Sequence, residues 1–252
     1  MKKRYFLVLI LILLLFCLNT CFAQDNDTSL DNNLITNDNV KITTYDLVKY
    51  YQNDSQFEFN VKENNLPSKD CTVNLNVGGK NYTRVTDSYG NGKLNIHLMP
   101  GKYSITTSYK NTTVKNNITV LSFLESKDLV KYYKNDSQYL VKVLDKSGNP
   151  LINKTVKMNI NGVFYYKATN NLGIAKLDIN LNPGEYILTA YYDNLEMGNK
   201  IKVLSRISGE DISSTYGNPV NVSVNFVDST GNPVCNKLIK FNVAGQILTA
   251  YT

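Results

Sequence analysis

The chain repeats itself, and the repeat limits what it can fold into. The segment Asp46-Leu47-Val48-Lys49-Tyr50-Tyr51-Gln52-Asn53-Asp54-Ser55-Gln56 returns as Asp128-Leu129-Val130-Lys131-Tyr132-Tyr133-Lys134-Asn135-Asp136-Ser137-Gln138, 82 residues later, with ten of eleven positions identical. Further on, Met99-Pro100-Gly101-Lys102-Tyr103-Ser104-Ile105 is answered by Asn182-Pro183-Gly184-Glu185-Tyr186-Ile187-Leu188 at an offset of 83. One residue is therefore gained or lost in the turn near Asn65 and Ser147. A third copy starts near Ile207: Asp211 to Tyr216 align with Asp128 to Tyr133, and Gly231-Asn232-Pro233 with Gly148-Asn149-Pro150, both at 83. Self-similarity at this spacing means one compact unit per copy, stacked in series. The third copy stops at Thr252, the counterpart of Thr169, without counterparts for residues 170–205. Half a sandwich leaves the inner faces of its strands uncovered, so an incomplete or prematurely ended product is expected.

Within the second copy the hydrophobic period is two. Gln138 to Leu144 puts Tyr139, Val141 and Val143 on one face, and Thr155 to Ile160 does the same with Val156, Met158 and Ile160. Lys146-Ser147-Gly148-Asn149-Pro150, Asn161-Gly162, Asn170-Asn171-Leu172-Gly173 and Asn182-Pro183-Gly184 punctuate these runs as turns. Val163 to Thr169, Ile174 to Leu181, Tyr186 to Tyr191 and Ile201 to Leu204 complete the strands, with Leu129 to Tyr132 as a short opening one. About seven strands spaced roughly 8–12 residues apart is the pattern of an immunoglobulin-like sandwich. No part of the chain beyond its first residues has a helical period.

The N-terminus carries an address. Lys2, Lys3 and Arg4 precede an unbroken apolar run from Tyr5 to Leu18, and Cys21-Phe22-Ala23 offers small residues for a cut before Gln24. This order marks a secretory signal peptide, and the run is short for a membrane span. An uncleaved anchor and a lipoprotein box at Leu18-Asn19-Thr20-Cys21 are the alternatives. Cleavage would remove three positive charges, so the net charge of +6 falls to +3. Lysines are scattered along strands rather than clustered, so no nucleic-acid partner is expected, and a membrane only through an uncleaved signal. The expected organisation is an all-β chain: signal peptide 1–23, a flexible Asn/Asp-rich leader 24–39, repeats 40–122 and 123–205, and a partial repeat 206–252. The joins fall near Ser122 to Ser126 and Ser205 to Ile207. They are short enough for a semi-rigid string.

Residues for catalysis are missing from the pattern. The one histidine, His97, lies between Ile96 and Leu98 and is expected to point to solvent. With one histidine, no Ser-His-Asp or Cys-His arrangement can be assembled in both repeats, and no spaced Cys/His metal motif appears. No phosphate-binding glycine loop is present. Asp87-Ser88-Tyr89-Gly90-Asn91-Gly92 resembles a calcium loop only loosely, and its counterpart, Asn170-Asn171-Leu172-Gly173, has no acid, so a plain turn is the better reading. No cofactor and no metal is expected, and the chain is read as a non-enzyme. After cleavage only Cys71 and Cys235 remain, at non-equivalent positions, so no disulfide framework is expected.

Two sets of residues stand as candidate sites. Paired tyrosines occur at Tyr50 and Tyr51, Tyr132 and Tyr133, Tyr165 and Tyr166, and Tyr191 and Tyr192. Neighbours on a strand face opposite ways, so each pair offers one ring to the core and one to a ligand, with simple filling of the sheet as the plainer reading. Glycosylation acceptors of the Asn-x-Ser/Thr type occur at Asn26, Asn53, Asn81, Asn111, Asn117, Asn135, Asn153 and Asn221, only mildly more than composition alone would give.

The motifs Asp-Leu-Val-Lys-Tyr-Tyr-x-Asn-Asp-Ser-Gln, Gly-Asn-Pro-Leu, Met-Asn-Ile-Asn-Gly-Val-Phe-Tyr and Asn-Leu-Asn-Pro-Gly-Glu-Tyr-Ile resemble the immunoglobulin-like repeats of adhesin-like surface proteins of methanogenic archaea, over about residues 40–252. That resemblance implies a non-catalytic stalk or adhesion module at the cell surface. The partners it implies are surface glycans, wall polymer or proteins of other cells. Two alternatives are a glycan- or wall-binding module and the N-terminal stalk of a larger surface enzyme.

Overall fold

A computed structural model describes residues 39–252, and every regular element among them is a strand. The signal segment, the leader and Asn26 lie outside the described residues. Nine strands precede Ser122: β1 (Val40–Thr44), β2 (Leu47–Tyr50), β3 (Gln56–Glu63), β4 (Leu66–Pro67), β5 (Thr72–Val77), β6 (Lys80–Val85), β7 (Asn91–Asn95), β8 (Gly101–Tyr109) and β9 (Thr112–Leu121). Eight lie between Ser122 and Ser205: β10 (Leu124–Ser126), β11 (Leu129–Tyr132), β12 (Gln138–Val143), β13 (Thr155–Ile160), β14 (Val163–Ala168), β15 (Ile174–Asp178), β16 (Gly184–Tyr192) and β17 (Leu195–Leu204).

Each group builds the same two-sheet sandwich. In the second, β10-β12-β15 forms one sheet and β11-β17-β16-β13-β14 the other; in the first, β1, β3, β4 and β7 face the sheet β2-β9-β8-β5-β6. The first strand of each group is split. β10 pairs antiparallel with β12, and after Lys127 and Asp128 the chain crosses to the other sheet, where β11 runs parallel to β17. β1 and β2 repeat this with β3 and β9. An opening strand that switches sheets to lie parallel to the last one is immunoglobulin-like topology. The fold is thus all-β and made of tandem immunoglobulin-like sandwiches.

Alternation along the strands supplies the cores. Tyr139, Val141, Met158, Leu188 and Ile201 lead one buried cluster, and Phe57, Val61, Leu75, Ile105 and Ile118 lead the other. Each fully buried side chain of this size contributes about 1.5–3 kcal/mol over the exposed state. Turn chemistry sets the register. The hairpins at Gly78-Gly79, Asn161-Gly162 and Ala244-Gly245 have positive φ at both central residues, as a type I′ turn requires.

The one-residue difference between repeats has a clear location. Asn64 and Asn65, with φ of 50° and 66°, close a two-residue hairpin between β3 and β4. In the second repeat the turn runs through Lys146-Ser147-Gly148, with Gly148 at φ 87° and its N–H bonded to the Asp145 carbonyl at 3.0 Å. After Leu204 the chain continues as β18 (Ile207–Gly209), β19 (Val224–Phe226), β20 (Leu238–Val243) and β21 (Gln246–Tyr251), in two two-stranded sheets. Residues 210–223 contain no strand.

Candidate functional site: the joints between repeats and the outer tyrosines

The recurrent segment near residues 46–56 and 128–138 does structural work at nearly every position. Asp128 Oδ1 accepts from the Lys200 N–H at 2.9 Å and from Asn199 Nδ2 at 3.2 Å, which ties the strand crossover to β17. Asp46 holds Asn116 and Asn117 of β9 in the same way. These donors keep both carboxyls below the usual carboxylate range, led in each by the backbone N–H of Asn117 or Lys200. The lysines are buried, 6% exposed at Lys49 and 5% at Lys131. Their ammonium groups are capped by carbonyls: Lys49 Nζ donates to Ser55 and Ile96 at 3.0 Å each, and Lys131 Nζ to Ser137 at 3.1 Å and Ile179 at 2.9 Å. Burial pulls both amines below their ordinary value, while Asp54 and Asp136 push back.

The end of the segment reaches into the next repeat. The Tyr50 ring lies across Gly148, where an added Cβ would stand 2.5 Å from Cε2; Tyr132 lies across Gly231 with the same 2.5 Å approach. Asn53 Nδ2 donates to the Lys146 carbonyl at 2.7 Å, and Asn135 Nδ2 to the Ser229 carbonyl at 2.7 Å. The Oδ1 of each asparagine accepts from the N–H of Ser55 or Ser137 at 2.8 Å, which orients the amide. Two successive joints thus use the same two prongs, a tyrosine ring over a turn glycine and an amide on a turn carbonyl.

The first joint carries more. Tyr51 packs on Phe123 at 5.8 Å between ring centroids, and Phe123 meets Tyr192 edge-on at 6.1 Å. Asn194 Nδ2 donates to the Tyr51 hydroxyl at 2.9 Å. At the second joint Arg206 takes the place of Phe123, with its guanidinium 5.1 Å from the Phe226 ring centre and Nε on the Val227 carbonyl.

The eight tyrosines therefore have different environments. Tyr50, Tyr51, Tyr132 and Tyr192 stand at joints. Tyr133 packs half-buried at the edge of the second core, under Lys134 Nζ at 5.5 Å, and Tyr165 also faces that core. Tyr166 is 64% exposed, and Tyr191 is half-buried on the outer face of the five-stranded sheet. Lys157 stands opposite both in register, and its Nζ lies 4.2 Å from the Phe164 ring centre and 5.4 Å from that of Tyr191. Phe164 and Lys157 belong to this cluster without having been marked by the sequence, since the pairing of consecutive tyrosines drew attention to the wrong spacing. The first repeat has Asn81, Thr83, Asn74 and Ser108 at the corresponding positions, so its outer face is polar.

Of the glycosylation acceptors, Asn53 and Asn135 have their amide nitrogens engaged across the joints, and Asn117 Nδ2 bonds Asp46 at 3.2 Å. Asn81, Asn111, Asn153 and Asn221 are exposed. His97 is exposed just past β7, Cys71 is partly buried and Cys235 exposed, both as free thiols. Asp87 Oδ1 accepts from the N–H of Tyr89 at 2.9 Å and of Asn91 at 2.8 Å, so this carboxylate organises its own turn. Among the described residues no group of three or more His, Cys, Asp and Glu side chains gathers as metal ligands.

Neither a protein-family model nor a curated protein sequence matches the chain. Among solved structures it is similar to the I9–I11 tandem of titin, at 14% identity over 83% of this chain and 87% of that one, with a TM-score of 0.36. It is also similar to a Ca2+-stabilised adhesin with which an Antarctic bacterium binds ice, at 12% identity over 84% of this chain and 62% of that one, TM-score 0.23. A tandem of titin immunoglobulin domains, A164–A165, matches at 10% identity over 67% of this chain and 98% of that one, TM-score 0.27.

Proposed function

We propose that the protein is an exported, cell-surface adhesin-like stalk, in which residues 40–122, 123–205 and 206–252 are successive repeats and none is catalytic. The observation that carries this reading is the duplicated joint: Asn53 to Lys146 and Asn135 to Ser229, each at 2.7 Å, beneath Tyr50 and Tyr132 on their glycines. A joint rebuilt from the same residues at each step suits a module whose task is to hold others in series. Export rests on the N-terminal order of residues 1–23. The test is protease treatment of intact producing cells. The reading requires the folded repeats to be cleaved or released from outside, and it fails if they remain protected within the cell.

A second reading is favoured by the exposed rings of Phe164 and Tyr166 with Lys157 on the outer sheet face: a binding surface for glycan or wall polymer, since sugar rings stack on aromatic faces. Replacing Tyr166 by Ser should abolish retention on wall polymer with melting unchanged. Unaltered retention rejects it.

A further inference from the structure

The five-stranded sheet of the second repeat ends on β14, whose outer side has no neighbouring strand among the described residues. Closure of the β13–β14 hairpin by a two-residue type I′ turn makes Ile160 and Val163 a hydrogen-bonded pair. Hydrogen-bonded and non-bonded pairs then alternate, so the N–H and C=O of Phe164 and Tyr166 point away from β13, on the side of β14 that has no ladder partner among the described residues. The strand bearing these free groups reads Val-Phe-Tyr-Tyr-Lys-Ala, with Val163 51%, Phe164 49% and Tyr166 64% exposed. An edge of this kind is a template for another strand unless charge, proline or a bulge protects it. The matching edge of the first repeat, β6, carries a second charge, Lys80 in the place of Val163, besides Arg84 in the place of Lys167.

We propose that β14 pairs antiparallel with β14 of a second copy of this chain, about a two-fold axis at Tyr165. A second copy fits because the strand is complementary to itself in this register. Phe164 falls opposite Tyr166 of the second copy, so the outward backbone groups of the two residues satisfy one another. Their rings form aromatic cross-strand pairs on the outer face, continuous with Lys157 and Tyr191 of each copy. The strand's one charge, Lys167, falls opposite Val163 on the inner face, so no like charges meet. The interface is isologous and closes at two. Three side chains about half exposed on each copy hide roughly 600 Å² of apolar surface together. This is below the ~1,200 Å² of a standard stable interface, so the contact is weak for a single pair and gains strength where many chains stand side by side.

Sedimentation velocity and amide hydrogen exchange on the full chain, without added ligand, test this across a wide concentration range. A reversible dimer should grow with concentration, and the amides of Phe164 and Tyr166 should slow in step with it. Those of Val163, Tyr165 and Lys167, bonded to β13, should be protected throughout. Phe164→Lys should weaken association about tenfold or more by setting charge into the aromatic cluster. Tyr166→Pro, which removes an outward N–H and no existing ladder bond, should do the same. A monomer whose Phe164 and Tyr166 amides exchange equally at every concentration overturns the proposal, as does a dimer that both variants leave intact.

Discussion

At the scale of single residues, the two repeats compare one buried network with and without a hydroxyl. In the second, the hydroxyl of Tyr139, 1% exposed, donates to Asn199 Oδ1 at 2.7 Å and lies 2.9 Å from Ser126 Oγ. In the first, Phe57 stands in its place, and Asn116 Oδ1, the counterpart of Asn199 Oδ1, is buried with no hydrogen-bond partner. An unmet buried acceptor costs about 1–3 kcal/mol. Phe57→Tyr should therefore stabilise the first repeat by about 1 kcal/mol, and Tyr139→Phe should destabilise the second by about the same. Denaturant unfolding of each variant checks both. A destabilised Phe57→Tyr variant would mean that the pocket has no room for the oxygen.

Elements show which parts of the fold were legible in the sequence. β11 and β13 have the bounds that alternation and turn residues predicted, Leu129–Tyr132 and Thr155–Ile160. β10 was missed: three residues are too few to show a period, and Leu124–Ser126 read as part of a join. β17 begins at Leu195, well before the expected Ile201, because its first half, Glu196-Met197-Gly198-Asn199-Lys200, lacks large buried side chains and its pairing with β16 supplies the order instead. The parallel pairing of β11 with β17 joins residues about seventy apart, a relation that no local pattern encodes. Turns were the most legible elements because their chemistry is local. Asp145 Oδ1 accepts from the N–H of Ser147 and Asn149 at 2.8 Å each, and Asn170 Oδ1 does the same for Leu172 and Ile174. The Asn149 N–H, then its side chain, hold the Asp145 carboxyl below its ordinary 3.8. A carboxyl with a lowered folded-state value contributes stability that is present above the unfolded value and lost as pH falls through the folded one. Asp145→Asn should match the wild type at neutral pH, as Asn170 shows an amide can serve, and should lose less stability on acidification below about pH 4. Asp145→Ala should melt lower even at neutral pH. Identical acid profiles for wild type and Asp145→Asn would remove the carboxylate from the account.

At the scale of the whole molecule, the question is why one segment is nearly invariant between copies while the strands around it drift. Lys49, Asp46 and their counterparts answer for the interior of a repeat, but Tyr50 and Asn53 have their main contacts on the following repeat, nearly a hundred residues on. The sequence displayed these residues as a motif. It could not display their destination, because Lys146 and Gly148 sit in a turn whose length differs between copies. The first repeat, with its Asn64-Asn65 hairpin, lacks the glycine on which a tyrosine could lie, whereas Gly148 and Gly231 supply it in the second and third. Joint geometry is therefore specified in one direction, prongs toward the C-terminus and socket toward the N-terminus. Combining Tyr50→Ala with Asn53→Asp removes the ring and the amide donor while keeping Oδ1 for the Ser55 N–H. Unfolding of the first repeat should change little and that of the second fall slightly, since Tyr50 is partly buried against the edge of the second core, but small-angle scattering should show a broader spread of repeat orientations. The matching pair, Tyr132→Ala with Asn135→Asp, should loosen the second joint independently, because the two joints share no residue and distant sites act additively. Scattering that stays as narrow as the wild type would move the stiffness of the first joint to the Tyr51–Phe123–Tyr192 cluster. A triple change adding Phe123→Ser would then be needed to free it, with a correspondingly larger loss of stability, since Phe123 is only 4% exposed.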